Sequence, residues 1–509
     1  MDTFANILIE ARYSMHCSSD FAFLSTLNPS PTEAHIMTII RVAVGFLLLA
    51  VAGPVAWGDS SDPKPLFVEG YAGQMSYKPG EELALHVSTT ASVFSIEIAR
   101  LGAKTEVVHA AANVPGVESP IPENASTHGC GWPALVKLAI PETWKSGYYQ
   151  VTFKAADGGG KFVQRGRRTA ESTAFFIVRA AKPGASTKTL IQLSTNTYNA
   201  YNNWGGFSLY GYHGRANVQG HRVSFQRPSA GQFGQWELPF VAWAEANGYV
   251  FDYAANSDLE FHPEELKAYK LVLSVGHDEY WSSLMRDHLE AFIKAGGNVA
   301  FFSGNTCCWQ VRSEDQGQAL TCWKQWYNLD PAYRDGNIKL LTTAWSHELI
   351  GRPENQLTGV GFLFGGYHRS HGQFMDGASA FTVHRPEHWA LEGTGLKRGD
   401  SFGGKDTIVG YECDGCEFEL RDGLPVPTHR DGTPKGFTIL GTCPAKWAPG
   451  DSLWYDKFPT DRVGSATMGL YTQGGTVFTV GTTDWSHGLR GKDAAVERIT
   501  KNVLDRLGK

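Results

Sequence analysis

Three short segments carry the side chains that could do chemistry together. They are Ser194-Thr195-Asn196-Thr197-Tyr198-Asn199-Ala200-Tyr201, Gly276-His277-Asp278-Glu279-Tyr280-Trp281 and Ser303-Gly304-Asn305-Thr306. Each follows an apolar run of strand type, and in an open α/β sheet ligands bind beyond the carboxyl ends of the strands. A tyrosine, a histidine, a glutamate and an asparagine meeting there form an ionisable, donor-rich set suited to hydrolysis or metal binding. Other chemistries are excluded by what is missing. No Gly-x-Ser-x-Gly elbow follows a strand at the right place, and no phosphate-binding or dinucleotide glycine loop occurs. A glutaminase-type sheet needs a cysteine after its third strand, where this chain has Gly276-His277-Asp278-Glu279. His277-Asp278-Glu279 is not the helical His-Glu-x-x-His zinc pattern either. A metal set built from Tyr and Glu oxygens is hard and anionic, which favours ferric iron over zinc.

The elements that must position these groups fall into two textures. From Pro65 to about Val178, short alternating segments (Leu83–Ser88, Val93–Leu101, Tyr148–Lys154, Ala174–Arg179) lie between Gly/Pro turns, the pattern of an antiparallel sandwich. Ala181-Lys182-Pro183-Gly184-Ala185-Ser186 reads as a linker. Strands then alternate with helices. Strands are expected at Thr189–Leu193, Tyr249–Tyr253, Lys270–Val275, Asn298–Ser303 and Gly475–Val480, with helices at Pro239–Asn247 and Ser282–Ala295. Val496, Ile499, Val503 and Leu507 make the stripe of a last helix. The long aromatic, glycine-rich stretch from Trp309 to Gly474 is expected to decorate the sheet with loops and extra strands. The predicted fold class is therefore mixed: an immunoglobulin-like β-sandwich over 59–180, then a glutamine-amidotransferase-like α/β domain over 187–509 with a mostly parallel sheet.

The 509 residues carry 45 Lys+Arg against 51 Asp+Glu, a net charge of −6 that argues against a basic nucleic-acid or membrane-surface partner face. With 42% hydrophobic and 19% charged residues the chain is globular rather than disordered. Residues 1–36 show no periodic pattern. From Met37 a single Arg41, an apolar run from Val42 to about Val55 and Ala56-Trp57-Gly58 reproduce the layout of a secretory signal peptide. Translation is expected to start at Met37, leaving 1–36 untranslated or disordered, with 37–58 cleaved and a periplasmic or secreted product. A retained membrane anchor is the alternative, but the apolar run is shorter than the ~20 residues a span usually needs and Pro54 interrupts its end, so no stable membrane insertion is expected after signal cleavage. In an oxidising compartment, one or two local disulfides are expected among Cys130, Cys307, Cys308, Cys322, Cys413, Cys416 and Cys443. The fifteen tryptophans leave a non-catalytic alternative: an exported carbohydrate- or surface-binding protein that stacks sugars on aromatic loops. Oxidative chemistry at a metal is a third reading.

Several segments, in order over roughly 65–509, resemble one family, the large (β) subunit of N,N-dimethylformamidase. They are Val68-Glu69-Gly70-Tyr71, Trp144-Lys145-Ser146-Gly147-Tyr148-Tyr149, Thr197 to Asn202, Gly276 to Trp281, Ser303 to Thr306, Cys322-Trp323-Lys324 and Gly410-Tyr411-Glu412-Cys413-Asp414-Gly415-Cys416. The resemblance implies a mononuclear iron amidohydrolase acting on a small-molecule amide, with iron held by two tyrosines and a glutamate. Carried onto this sequence, Glu279 is the ligand carboxylate and Tyr198 the tyrosine of the first sheet loop, with Tyr201 a close competitor. The second tyrosine is expected from the sandwich, where Tyr149 is preferred to the adjacent Tyr148. His277, Asn305 and Lys324 match the surrounding groups, and Glu412 matches the general base. The resemblance also implies a possible small subunit, beside which a homo-oligomer stands as the alternative.

Overall fold

Leu83, Leu85 and Val87 are buried at every second position of β3 (Glu82–Thr89), as are Phe94, Ile96 and Ile98 of β4 (Val93–Leu101). The strand period of two puts each set on one face. In the computed structural model, which describes residues 65–156, 168–368, 379–447 and 463–509, these faces meet. β3 lies between β1 (Val68–Ala72) and β6 (Ala134–Ala139). The facing sheet runs β2 (Ser76–Tyr77), β8 (Thr169–Val178), β7 (Gly147–Ala156), β4 and β5 (Glu106–Pro115). The proposed export segment at 37–58 and the residues before it lie outside the described residues. Among the described residues, no helix is long and apolar enough to cross a membrane.

Parity along β7 decides where its two tyrosines go. Tyr149 faces the sandwich core, stacked on Trp144 at 5.0 Å and Phe176 at 5.5 Å. Tyr148 points the other way and stacks on Phe233 at 4.2 Å, in one hydrophobic cluster with Ile191, Leu193 and Tyr253 of the α/β part. Sandwich and α/β layer thus share a core, and the described residues form one compact unit.

The central sheet begins as expected. β11 (Asp252–Ala255), β9 (Thr189–Leu193), β12 (Leu271–His277), β14 (Asn298–Gly304) and β25 (Gly475–Thr479) are neighbours in that order, all parallel. The other half differs from the mostly parallel sheet predicted. β24 (Val463–Gln473), β23 (Thr438–Lys446), β17 (Gly361–Tyr367) and β20 (Glu412–Gly415) continue it antiparallel. The physical reason lies in the connections: the β24–β25 hairpin closes through Gly474 at φ +85°, and so tight a turn can only join antiparallel strands. A small separate sheet orders β10 (Arg222–Ser224), β16 (Ala319–Thr321), β15 (Trp309–Glu314) and β13 (Tyr280–Ser282).

The expected disulfides are not formed: all seven cysteines among the described residues are buried free thiols. Cys413, on β20, and Cys416, just past its end, belong to different hydrophobic clusters, because an odd spacing in extended chain sends them to opposite faces.

Candidate functional site

Chain order places the site. From β9 the chain moves outward to β11 and then back across β9 to β12, so the sheet changes direction between β9 and β12, where ligands collect in open α/β sheets. The helix Thr195–Tyr201 leaves the end of β9, and Gly276-His277-Asp278-Glu279 leaves β12. Gly276 adopts φ +80°, and a Cβ there would sit 2.5 Å from the Trp236 Cβ, so the turn requires glycine. Below, Asp278 accepts hydrogen bonds from Gln192, from Ser274 at 2.8 Å and from Asn256 at 3.3 Å, tying three strand ends together.

Glu279 is the focus. Its backbone N–H donates to Thr197 Oγ1 at 2.9 Å. Its Oε1 accepts from Trp309 Nε1 at 2.8 Å and Tyr210 OH at 2.9 Å, and its Oε2 accepts from Tyr201 OH at 3.1 Å. Tyr210 OH also lies 2.7 Å from both Tyr201 OH and Tyr280 OH. Thr197 and Tyr201, four residues apart, share the helix face that meets Glu279. Burial and the Glu279 charge push both phenols well above the ordinary tyrosine range.

His277 Nε2 stands 2.8 Å from Glu412 Oε2 and 3.3 Å from Glu279 Oε2. Burial alone would lower its pKa, but the two carboxylates overcome this and push it up to about 10. Burial would likewise raise Glu279, yet His277 and Lys324 hold it below the usual carboxylate range. Lys324, fully buried, places Nζ 3.3 Å from the Tyr210 ring centre; burial lowers it to about 8 against the pull of Glu279. Two buried carboxylates thus face two buried bases. Glu279, Glu412, Asn305, Tyr201 and Tyr210 line a cavity of about 50 Å³. Among the described residues, Asn305 Oδ1 is buried without a hydrogen-bond partner, which marks a place for a ligand or water.

The structure gathers five of the seven residues singled out from sequence: Glu279, His277, Glu412, Asn305 and Lys324. It does not bring Tyr149 or Tyr198 to them. Tyr149 donates to the Lys145 carbonyl at 2.7 Å inside the sandwich, where strand parity puts it. Tyr198 sits one residue round the helix from Thr197 and donates to Glu237 Oε1 at 2.5 Å. The phenols on Glu279 belong to Tyr201 and Tyr210. Tyr210 and Trp309 were missed: Tyr210 lies in the aperiodic loop Ser208-Leu209-Tyr210-Gly211, and Trp309 opens a strand of a small sheet that no local pattern announces. A backbone signal does mark the site, although the sequence does not show it. Asn305, Cys307, Lys324 and Tyr411 all take positive φ without being glycine, a strain that clusters at functional sites.

The donor set fits a hard cation. Tyr210 OH stands 2.7 Å from Tyr201 OH and 2.9 and 3.0 Å from the two Glu279 oxygens, and Tyr201 OH stands 3.1 Å from Glu279 Oε2. Two phenol oxygens and a carboxylate meeting at one buried point are the ligand type such an ion takes. A cation there would also reverse the local field that now keeps the phenols protonated.

Over 214 residues the chain is 26% identical to the N,N-dimethylformamidase beta subunit of Alcaligenes sp, and over 226 residues 25% identical to that of Paracoccus aminophilus. Each match spans 36% of this chain and only 28% of the relative's length. Residues 95–499 match the family described as N,N-dimethylformamidase beta subunit-like, C-terminal. That span covers most of the chain and holds every residue gathered around Glu279, so the chain belongs to the N,N-dimethylformamidase beta subunit-like family.

Proposed function

We propose that this chain is an iron-dependent amidohydrolase acting on a small amide or a related C–N bond, with Glu279, Tyr201 and Tyr210 holding the metal. The observation that carries the reading is the buried oxygen cluster on Glu279, open to a cavity that Glu412 and Asn305 also line. Bound iron would supply Lewis acidity for the amide carbonyl or a water. Glu412 takes a proton from the attacking water and returns it to the departing amine. His277 does not line the cavity; it holds the Glu412 and Glu279 carboxylates in register. Asn305 offers its amide to the developing oxyanion, a donor worth about 2.7–4 kcal/mol in a dry site. Lys324 lies against the ring of Tyr210 rather than in the cavity lining, so its charge acts through Tyr210 and Glu279.

The relatives are named as beta subunits, which supports a partner subunit here too. We read the sandwich as immunoglobulin-like, the α/β part as glutamine-amidotransferase-like, and the chain as exported after cleavage near Gly58 to the periplasm or beyond. An intact Met37 terminus in mass spectra of exported protein would defeat that cleavage. The sugar-binding alternative gains no support, since Trp326 alone among the described tryptophans is exposed.

The test is elemental analysis and visible absorption of purified protein, followed by hydrolysis of formamide, acetamide and N,N-dimethylformamide. About one iron per chain, a tyrosinate absorption band and release of ammonia or, from N,N-dimethylformamide, dimethylamine are expected. Metal-free protein that stays inactive when supplied with iron would overturn the reading.

A further inference from the structure

Glu412 and Asp414 are two residues apart on β20, so their side chains share a face, while Cys413 between them points into the hydrophobic core on the other side. Glu412 lines the cavity and Asp414 does not, yet Asp414 is only 1% exposed. Its partner is the turn that carries Asn305. Asp414 Oδ2 accepts from Thr306 N–H at 3.0 Å, and the Asn305 N–H is a weaker donor to the same carboxyl.

That turn does not hold its own shape. Asn305 stands at φ +49° and Cys307 at φ +58°, and residues with side chains keep the left-handed region only where neighbours hold them there. Cys307 N–H is tied to the Asp278 carbonyl at 2.9 Å, next to β12, and Asp414 ties Thr306 and Asn305 from β20. The reach from β20 depends on Gly304. A Cβ there would lie 2.5 Å from the Thr483 nitrogen and 2.7 Å from the Glu412 oxygen, so only glycine lets the end of β14 come this close.

Burial, reinforced by the Glu354 and Glu412 carboxylates, outweighs the backbone donors and pushes the Asp414 carboxyl well above the ordinary range. Its Oδ1 has no hydrogen-bond partner among the described residues, so no donor holds that oxygen ionised. Asp414 therefore serves the turn as a neutral acceptor, and Glu412 is spared a second buried negative charge beside it.

We propose that Asp414 is the positioning residue of Asn305, fixing the turn so that the Asn305 amide is in place before the oxyanion develops. The inference rests on the amidohydrolase reading and adds to it the group that presets its oxyanion donor.

The test measures kcat, KM, iron content and visible absorption of full-length, iron-loaded variants, with formamide, acetamide and N,N-dimethylformamide as substrates. Asn305→Ala is expected to lose about a hundredfold in kcat and Asp414→Ala at least about tenfold, with KM, iron and absorption unchanged in both. The double variant should be no more than about threefold slower than Asn305→Ala alone, because Asp414 acts through Asn305. Asp414→Asn, which restores the carbonyl acceptor without a charge, should recover kcat to within about threefold of wild type. Asp414→Ser, too short to reach Thr306, takes the place of Asp414→Ala should that variant fail to fold. Wild-type kcat in folded Asp414→Ala, full additivity with Asn305→Ala, iron loss in Asp414→Ala, or Asp414→Asn as slow as Asp414→Ala would each overturn the role. The turn is also read without activity: in a crystal structure of Asp414→Ala, Asn305 is expected to leave φ +49°, and an unmoved turn overturns the role however fast the enzyme is. Iron-loaded wild type that cleaves none of the three amides overturns the amidohydrolase reading itself, and this role with it.

Discussion

Two buried glutamates a short way apart each take a hydrogen bond from a tyrosine of the same helix, and they are different objects. Glu237 accepts from Tyr198 at 2.5 Å and from the Ser194 N–H at 3.2 Å, and its other oxygen has no partner among the described residues. Burial pushes it up to about 8, so it is largely neutral near pH 7. Glu279 accepts from two phenols and an indole, has His277 and Lys324 as cationic neighbours, and opens on a cavity. A buried carboxylate–phenol contact is therefore not yet a site. Neighbouring positive charge keeps the carboxylate ionised, and free space gives that charge something to bind.

The comparison breaks most visibly at Glu279. Glu279→Ala should lose its metal and at least about a thousandfold in kcat/KM, whereas Glu237→Gln should keep its metal; elemental analysis and amide kinetics on both decide it. Iron retained at full content in Glu279→Ala would erase the distinction. A finer cut uses the two helix tyrosines. Tyr201→Phe should reduce kcat at least about tenfold and alter the visible band, while Tyr198→Phe leaves the band in place; the reverse outcome restores Tyr198 as the ligand.

Next comes the proton on Glu237. A carboxyl raised from 4.5 to about 8 on folding contributes stability that is complete below about pH 4.5 and is lost as pH climbs through 8. Replacing it with glutamine should flatten that decline by a few kcal/mol, on the order of what such a shift allows. Urea melts at pH 5 and pH 8 measure it, and an unchanged slope would mean that Glu237 is ionised in the folded state. The smallest effect is expected in the sandwich. Tyr149→Phe gives up one hydrogen bond to Lys145, about 1 kcal/mol, and should leave iron content unaltered.

The elements that could be read from sequence are those whose pattern is local. Thr189–Leu193 and Val93–Leu101 are strands over those same residues. The helix expected at Ser282–Ala295 runs Ser283–Lys294, capped by the Ser282 hydroxyl accepting from Met285 N–H. The stripe Val496, Ile499, Val503 and Leu507 is buried as expected. What stayed hidden was relational. Nothing local tells β17, β20, β23 and β24 to join the parallel strands, and nothing in Ser208-Leu209-Tyr210 says that its phenol will meet a carboxylate 69 residues on. Tyr149 misled for the opposite reason. Its motif neighbours are local, but which face of β7 it occupies depends on which sheet lies across from it.

The position of β25 bears on how the molecule comes to be. Every residue gathered around Glu279 precedes it in the chain, yet it lies between β14, whose end carries Asn305, and β24 of the antiparallel half. Just beyond it, Thr482 N–H donates to the Ser303 carbonyl and Thr483 N–H to that of Glu412. During vectorial synthesis the groups of the site therefore emerge before the strand that locks their two supports together, and the unpaired edges of β14 and β24 must wait for it. A nascent or truncated chain ending before this strand would hold every chemical group of the site on two half-sheets joined only by contacts such as Thr306 N–H to Asp414 and His277 to Glu412. The arrangement makes completion of the site a late event in folding, withheld until the sheet is whole.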